Sequence, residues 1–158
     1  LPNSIATAAG IIVGVHIGAD RPKEAEQTSY ACIRKGTAAV AVLGVVLAIF
    51  GRRLLGIFTD NENILRMAYI VLLMDIVTMF AKNVNLTFGN SLRAVGDVNY
   101  PVVISVISMW GIGTGLAWVL GCAFRLGLPG IFAAFLLDEA LRSYLLWHRW
   151  SGRIIRVR

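Results

Sequence analysis

The sequence predicts an all-α protein, a polytopic bundle of transmembrane helices, and three observations support this fold class. Hydrophobic residues make up 57% of the 158 residues and charged residues only 15%, with a mean hydropathy of +0.71. A soluble domain is about 45–50% apolar and about 25% charged. The apolar residues fall into five long runs, and each complete run is close to the roughly 20 residues that cross a hydrocarbon core. Polar or proline-containing breaks separate the runs.

Each break carries a recognisable start or stop signal. Pro22 ends the first run because it disfavours a helical conformation at Arg21. The polar residues at 59–62 offer side-chain caps for the third helix, and Pro101 and Pro129 begin the fourth and fifth. The charged stretch 23–35 predicts an amphipathic approach helix before the second segment. The predicted transmembrane segments cover residues 4–19, 31–50, 64–90, 102–121 and 129–147.

The beginning of the sequence lies inside an apolar stretch. Leu1 has no basic region ahead of the apolar residues, so a signal peptide is not predicted. We expect a helix whose start lies upstream, and therefore a fragment of a longer protein. Cys32 and Cys122 lie in separate apolar segments without a CxxC motif or a His/Cys cluster. The sequence therefore predicts no metal site and no cofactor of that kind.

The Lys and Arg residues that give the net charge of +6 lie mostly between the apolar runs and at the C-terminus, where such residues determine membrane topology. Neither aromatic RNA-binding motifs nor a basic stripe is present, so a nucleic-acid partner is not expected. Lys and Arg favour the cytoplasmic side of a membrane, and alternate helix ends place nine of them on one side and four on the other. This count predicts a cytoplasmic C-terminus, with residues 148–158 as a basic tail that can hold anionic lipid headgroups. The nine are Arg21, Lys23, Arg34, Lys35, Arg93, Arg149, Arg153, Arg156 and Arg158.

The third segment carries the first candidate site, made of Asp75, Lys82, Asn83 and Asn85. An ionisable group inside a membrane costs about 2.5 kcal/mol or more, so it normally has a partner or a function. Asp75 and Lys82 lie on nearly one helix face, roughly 10 Å apart along the axis. Carboxylate and amide oxygens suit a hard cation such as Na⁺, and a carboxylate in a low dielectric can carry a proton. The alternative is an interhelical salt bridge with asparagine hydrogen bonds that fix packing.

A second candidate cluster lies in the fifth segment. Asp138 and Arg142 are four residues apart and can pair on one helix. Glu139 follows Asp138, but adjacent side chains on a helix point about 100° apart, which argues against a carboxylate dyad. We interpret Asp138, Glu139 and Arg142 as a candidate gating ion pair. His16 near the end of the first segment is a candidate proton shuttle or a hydrogen-bonded packing residue.

Four motifs, in order along the chain, resemble those of the multidrug and toxic compound extrusion (MATE) transporters. Residues 14–25, GVHIGADRPKEA, resemble the VGxxxGAxxxxxA signature of that family. Residues 58–60, FTD, resemble its LFT-D turn, and residues 91–97, SLRAVGD, resemble its LRGxGD loop. Residues 126–139, which begin LGLPGIFA and end DE, resemble its GLxGVWxAxxxDE segment. Together the motifs span nearly the whole chain.

This resemblance implies a twelve-helix antiporter with two six-helix lobes, of which the chain would be about five helices of the C-terminal lobe. Such transporters export cationic or amphipathic compounds in exchange for Na⁺ or H⁺. The implied partners are the lipid bilayer, the N-terminal lobe and a small organic substrate, and the implied location is the plasma membrane. In some members a carboxylate on the tenth helix binds the coupling cation. That position falls near Lys82 here, so the chain departs from the pattern.

Two other functions remain open at the level of sequence. One is a lipid-linked sugar flippase of a related superfamily, which predicts a larger cationic cavity and fourteen helices in the complete protein. The other is a non-transporting membrane scaffold, which would have no need for Asp75 and Lys82 inside the membrane. An enzyme is not predicted, because no paired acid and base or metal constellation is found in the sequence.

Overall fold

The computed structural model describes the backbone of residues 2–157 and the side chains of residues 2–152. Within this range the chain forms five consecutive helices, which confirms the predicted fold class. They are α1 (Pro2–Gly18), α2 (Pro22–Leu55), α3 (Glu62–Ala94), α4 (Asn99–Ala123) and α5 (Gly127–Val157).

Two helices extend well beyond the predicted segments. The charged approach at 23–35 and the second apolar run form one continuous helix of 34 residues. Helix α5 continues through Val157, so the segment predicted as a basic tail is largely helical. Charged residues do not interrupt backbone hydrogen bonding, and hydropathy marks only the apolar part of a long helix. The side chains of Arg153, Arg156 and Arg158 lie outside the described residues.

Among the described residues, three helices are long and apolar enough to cross a membrane by length and composition: α2, α3 and α4. Helix α1 is apolar but only 17 residues long. Helix α5 has the required length but carries Asp138, Glu139 and Arg142 near its middle. Helix α4 is unusual, because it widens into π-helical turns at Met109–Leu116 and Val119–Ala123.

Helix α3 lies at the centre of the bundle. It packs against α1, α2 and α5, whereas α4 packs mainly against α5. The N-cap of α3 is Asn61, whose side chain accepts hydrogen bonds from the backbone N–H groups of Asn63 and Ile64. Helix α1 approaches α3 closely at Gly10, where an added Cβ would lie 3.1 Å from the Cβ of Asn90. Small residues allow this approach where little hydrophobic force acts between helices in lipid.

One apolar core ties the ends of four helices together. It contains buried residues from α1, α2, α3 and α5: Val13, Ala25, Phe88, Leu92, Leu146 and Trp150. Trp150 is fully buried, with its ring centroid 6.4 Å from that of Phe88. This core holds α5 against α3 and so fixes the relative positions of the polar residues on the two helices.

Candidate functional site

A buried polar cluster joins helices α3, α4 and α5. Asp138 accepts hydrogen bonds from the Ser108 hydroxyl of α4 and from the Arg142 guanidinium one turn further along α5. The same guanidinium lies 3.4 Å from a carboxylate oxygen of Glu139. On the other side, Asn85 Nδ2 of α3 donates to Glu139 Oε2 over 2.6 Å. Asp138 is 3% exposed and Asn85 8% exposed, so the cluster is largely withdrawn from the surface.

Local helix geometry explains why one arginine reaches both acids. Arg142 stands four residues after Asp138 and three after Glu139, and both spacings bring side chains together on a helix surface. Ser143 completes the junction, because its hydroxyl lies 2.6 Å from the carbonyl oxygen of Ala81 and 2.7 Å from that of Glu139. The arrangement is a shared ion cluster, in which the i, i+4 pair predicted from the sequence is one of four contacts between side chains.

The charges of this cluster do not cancel. Two carboxylates face one guanidinium, which leaves a formal charge of −1 within the bundle. Burying an unpaired charge costs several kcal/mol, about 3–5 when a buried pair loses a partner, and such groups in membrane helices usually mark an ion or substrate pathway. The Nε atom of Arg142 is also buried without a hydrogen-bond partner among the described residues. The cluster can therefore accept one further positive charge.

Asp75 and Lys82 lie outside this cluster. Both are half-buried, and neither forms a hydrogen bond or an ion pair with the described residues. Asp75 borders a cavity of about 200 Å³ that lies between α2 and α3 next to Pro2. The rest of its lining is aliphatic or thioether: Val40, Leu43, Gly44, Leu47, Leu72, Ile76 and Met79. The cavity thus combines an apolar wall with one carboxylate.

The two asparagines of the predicted site point away from each other. Asn83 is fully buried between α3 and α2, where its Nδ2 donates to Ile33 O over 3.0 Å and to Thr37 Oγ1 over 3.2 Å. Asn85 instead faces α5. The four predicted residues therefore divide into an α2 contact, an α5 contact and a charged stripe between them.

Two contacts in the structure were not predicted from the sequence. Ser108 had no distinguishing motif, since it is one of several small polar residues in the apolar run of α4, yet it binds Asp138. The hydroxyls of Ser29 and Ser91 lie 3.0 Å apart in a buried α2–α3 contact, and again only the fold brings them together. His16, a candidate proton shuttle, has its Nδ1 3.2 Å from a carboxylate oxygen of Glu24, so it links α1 to α2.

Apolar helices long enough to cross a membrane surround an internal ion cluster. This combination is typical of a polytopic membrane protein in which the interior of the helix bundle is functional. Comparison with known families agrees. The MatE family model matches residues 1–119 of the chain. The chain therefore belongs to the MATE family.

Curated proteins with related sequences are named as transporters or multidrug resistance proteins. An uncharacterized transporter of Bacillus subtilis, YisQ, is 34% identical over 96% of this chain and 33% of its own length. A probable multidrug resistance protein NorM from Mannheimia succiniciproducens is 24% identical over 94% of this chain and 33% of its own length. The chain thus spans about a third of the length of these curated relatives.

Solved structures show the same fold. One is described as the inward-facing conformation of a multidrug resistance MATE family transporter of the MOP superfamily. It superposes with a TM-score of 0.85 at 14% identity, over 96% of this chain and 35% of its own. The eukaryotic MATE transporter AtDTX14 superposes with a TM-score of 0.81 at 16% identity, over 99% of this chain and 36% of its own.

Proposed function

We propose that the full-length protein is a secondary active antiporter that exports cationic or amphipathic compounds in exchange for Na⁺ or H⁺. The chain described here contributes most of its C-terminal lobe, in a plasma membrane and with a cytoplasmic C-terminus. Family membership and relatives named multidrug resistance proteins support export. The observation that carries the coupling part of the proposal is the uncompensated negative charge of the cluster at Asp138, Glu139 and Arg142.

The cluster has the chemistry that a coupling cation needs. The two carboxylates of α5 and the Ser108 hydroxyl of α4 bring oxygen atoms together there, and hard cations are bound by such oxygen atoms. Asn85 of α3 donates its amide N–H to Glu139. Arg142 already neutralises one carboxylate, so one added cation balances the site. Because Glu139 is bonded to α3 and Asp138 to α4, loading or unloading that cation changes the link between these helices. Such a change is what couples an ion gradient to a conformational cycle.

The test uses the full-length protein in proteoliposomes. Efflux of a fluorescent organic cation is followed under an imposed Na⁺ gradient and then under a pH gradient, for wild type and Glu139→Gln. We expect one of the two gradients to drive transport, and Glu139→Gln to reduce gradient-driven efflux by about tenfold or more, the size of effect that a lost charged interaction gives. Glu62→Gln is the matched control, since Glu62 pairs with Arg52 at the exposed start of α3.

The outcomes separate coupling from transport. Efflux by Glu139→Gln equal to that of wild type would remove the coupling role of the cluster. Wild-type protein that moves no organic cation under either gradient would remove the antiporter proposal altogether. Equal losses in Glu139→Gln and Glu62→Gln would show that both changes act through protein integrity.

A further inference from the structure

Helix α4 contains a backbone pattern that is rare in proteins. Its turns are π-helical over Met109–Leu116 and again over Val119–Ala123, whereas a π-helix usually occurs as a single turn within an α-helix, often at a functional site. Three of the eight residues in the first segment are glycines, which have more backbone freedom than any other residue. The Thr114 hydroxyl donates to Met109 O, five residues back, over 3.0 Å, and so supports the wide turn.

The carboxylate of Asp138 on α5 lies against the start of this first π segment. The Ser108 hydroxyl donates to one of its oxygens, and a Cβ added at Gly113 would lie 3.6 Å from the other. Ser108 and Gly113 are five residues apart, so on an α-helix they would point about 140° away from each other. In a π-helix, where hydrogen bonds join residues five apart, the two positions lie one above the other. One carboxylate meets both positions because the turn between them is π-helical.

The far end of α4 is held firmly against α5. A Cβ added at Gly130 would lie 2.8 Å from Leu120 O, and one added at Gly121 would lie 2.8 Å from Ile131 Cγ1. The two helices are thus in close contact where α4 ends and α5 begins. Because this end of α4 is held in place, a change in the first π segment moves the other half of the helix, Asn99–Ser108.

We propose that Met109–Leu116 is a hinge whose shape depends on the charge of Asp138. A hydrogen bond to a charged carboxylate is about twice as strong as one to a neutral acceptor. Neutralising Asp138 therefore weakens its hold on Ser108 and allows the segment to pass from π-helix to α-helix. Each residue released from a π turn rotates the N-terminal half of α4 by about 100° and shifts it by about 1.5 Å relative to the fixed end.

The hinge connects the ion cluster with the end of the molecule where α4 begins. Tyr100, in the first turn of α4, has its ring centre 4.8 Å from the Arg149 guanidinium of α5. Rotation of the N-terminal half of α4 carries Tyr100 away from that guanidinium. The part that this movement plays in a transport cycle rests on the proposed function, in which the coupling cation loads and unloads the cluster.

Spin labels on α4 test the hinge in the full-length protein. Cysteines at Val103 and Phe124 lie on either side of the two π segments, and Phe124 is exposed in the described part of the chain, as is Val103. Cys32, Cys122 and any further cysteine of the full-length protein are first replaced by alanine. Pulsed electron paramagnetic resonance in nanodiscs gives the distances between the labels. In Asp138→Asn we expect a second population displaced by roughly 3 Å, because a rotation of about 100° carries one label around the helix axis.

The Asp138→Asn change is designed to remove the charge alone. Asparagine has the shape of aspartate, and Arg142 remains paired with Glu139, so no carboxylate or guanidinium of the cluster loses its last charged partner. Asp60→Asn is the matched control, since Asp60 is exposed in the loop between α2 and α3. Its distances should equal those of wild type.

A second variant weakens the π turn without touching the cluster. Thr114→Val removes the hydroxyl that supports the wide turn and should shift the labels in the same direction as Asp138→Asn. Thr7→Val is its control, because the Thr7 hydroxyl makes a comparable bond to a carbonyl four residues back in α1. Labels at Leu128 and Tyr144, both on the α-helix α5, should keep one distance in every variant.

Several results would overturn the hinge. Distances that are the same in wild type, Asp138→Asn and Thr114→Val would show that α4 is rigid. Equal changes in Asp60→Asn, or in the label pair on α5, would show a general loss of structure in place of a hinge. Failure of the proposed function is a separate result, because the labels on α4 would then still respond to Asp138→Asn while neither ion gradient drives efflux.

Discussion

Gly36 shows how one missing side chain sets the distance between two helices. A Cβ at this position would overlap the Asn83 amide of α3, whose Nδ2 bonds to Ile33 and Thr37 on the same face of α2. The Asn83 amide can reach these partners because Gly36 has no side chain to separate it from the backbone of α2. The Oδ1 atom of Asn83 is buried without a partner among the described residues, so the amide has little room for another arrangement.

Replacement of Gly36 by alanine should therefore destabilise the protein. The added methyl group would force the asparagine or the helix to shift, and overpacking of this kind costs about 1–3 kcal/mol. Thermal unfolding of the full-length protein in detergent would show this as a lowered Tm. Gly18→Ala is the matched control, because an added Cβ there meets nothing within 4 Å. An unchanged Tm for Gly36→Ala would mean that α2 and α3 lie further apart than described.

The contact between α2 and α3 is held at several levels along their length. The Ser29 and Ser91 hydroxyls meet near one end, and Asn83 reaches α2 further along α3. Beyond that point the Tyr69 hydroxyl donates to Ala48 O over 2.8 Å. A series of separate polar contacts fixes both the register and the rotation of the two helices. Such contacts are worth about 0.6 kcal/mol each on average in membrane proteins, so their number matters more than any one of them.

Cysteines at Ser29 and Ser91 should form a disulfide within one molecule, since the two hydroxyl oxygens lie 3.0 Å apart and disulfides need Cβ atoms within about 4.5 Å. The native Cys32 and Cys122 are first replaced by alanine, and a protease site is inserted in the loop after α2. After mild oxidation and cleavage, the two fragments should stay together until a reductant is added.

The control for this cross-link pairs cysteines at Ser29 and Ser143. Ser143 contacts the level of Ala81 on α3, ten residues or about 15 Å from the level of Ser91. These fragments should separate without reductant. Separation of the Ser29–Ser91 fragments as well would show that α2 and α3 have a different register.

The whole molecule has one end at which loops and charged groups meet. Asp97, in the loop between α3 and α4, accepts a hydrogen bond from Arg149 Nε near the end of α5 over 2.8 Å. The Arg149 guanidinium also lies 4.8 Å from the ring centre of Tyr100. His16 and Glu24 link the end of α1 to the start of α2. The larger group of Lys and Arg residues counted from the sequence is represented at this end by Arg21, Lys23, Arg93 and Arg149.

We expect that end to face the cytoplasm, because positively charged loops are retained there. A green fluorescent protein fused to the C-terminus of the full-length protein should fluoresce, and an alkaline phosphatase fused there should be inactive. Phosphatase fused after residue 60, in the loop between α2 and α3, serves as the control and should be active. The reverse pattern would place the C-terminus outside.

The breaks between helices could be predicted because each has its own local chemistry. Asn61 caps α3 through its side chain, and Pro22 stands in the first turn of α2. The unbroken continuation of the approach helix into the apolar part of α2, and the late end of α5, could not be predicted, since polarity changes there while backbone hydrogen bonding continues. For the site, the spacing of Asp138 and Arg142 predicted their pairing. The contacts of Asn85 with Glu139 and of Ser108 with Asp138 depend on how helices rotate about their own axes, which one sequence does not reveal.

The charge cluster of α5 also bears on how the protein is made. During synthesis α5 emerges after the other described helices, and each of the three charged residues in the cluster opposes transfer into lipid by up to about 3 kcal/mol at the helix centre. Arg142 and Asp138 can pair within the emerging helix, but Glu139 needs Asn85 and Asp138 needs Ser108. Both partners lie on helices that were made earlier. We therefore expect α5 to enter the membrane more readily when α3 and α4 are already beside it.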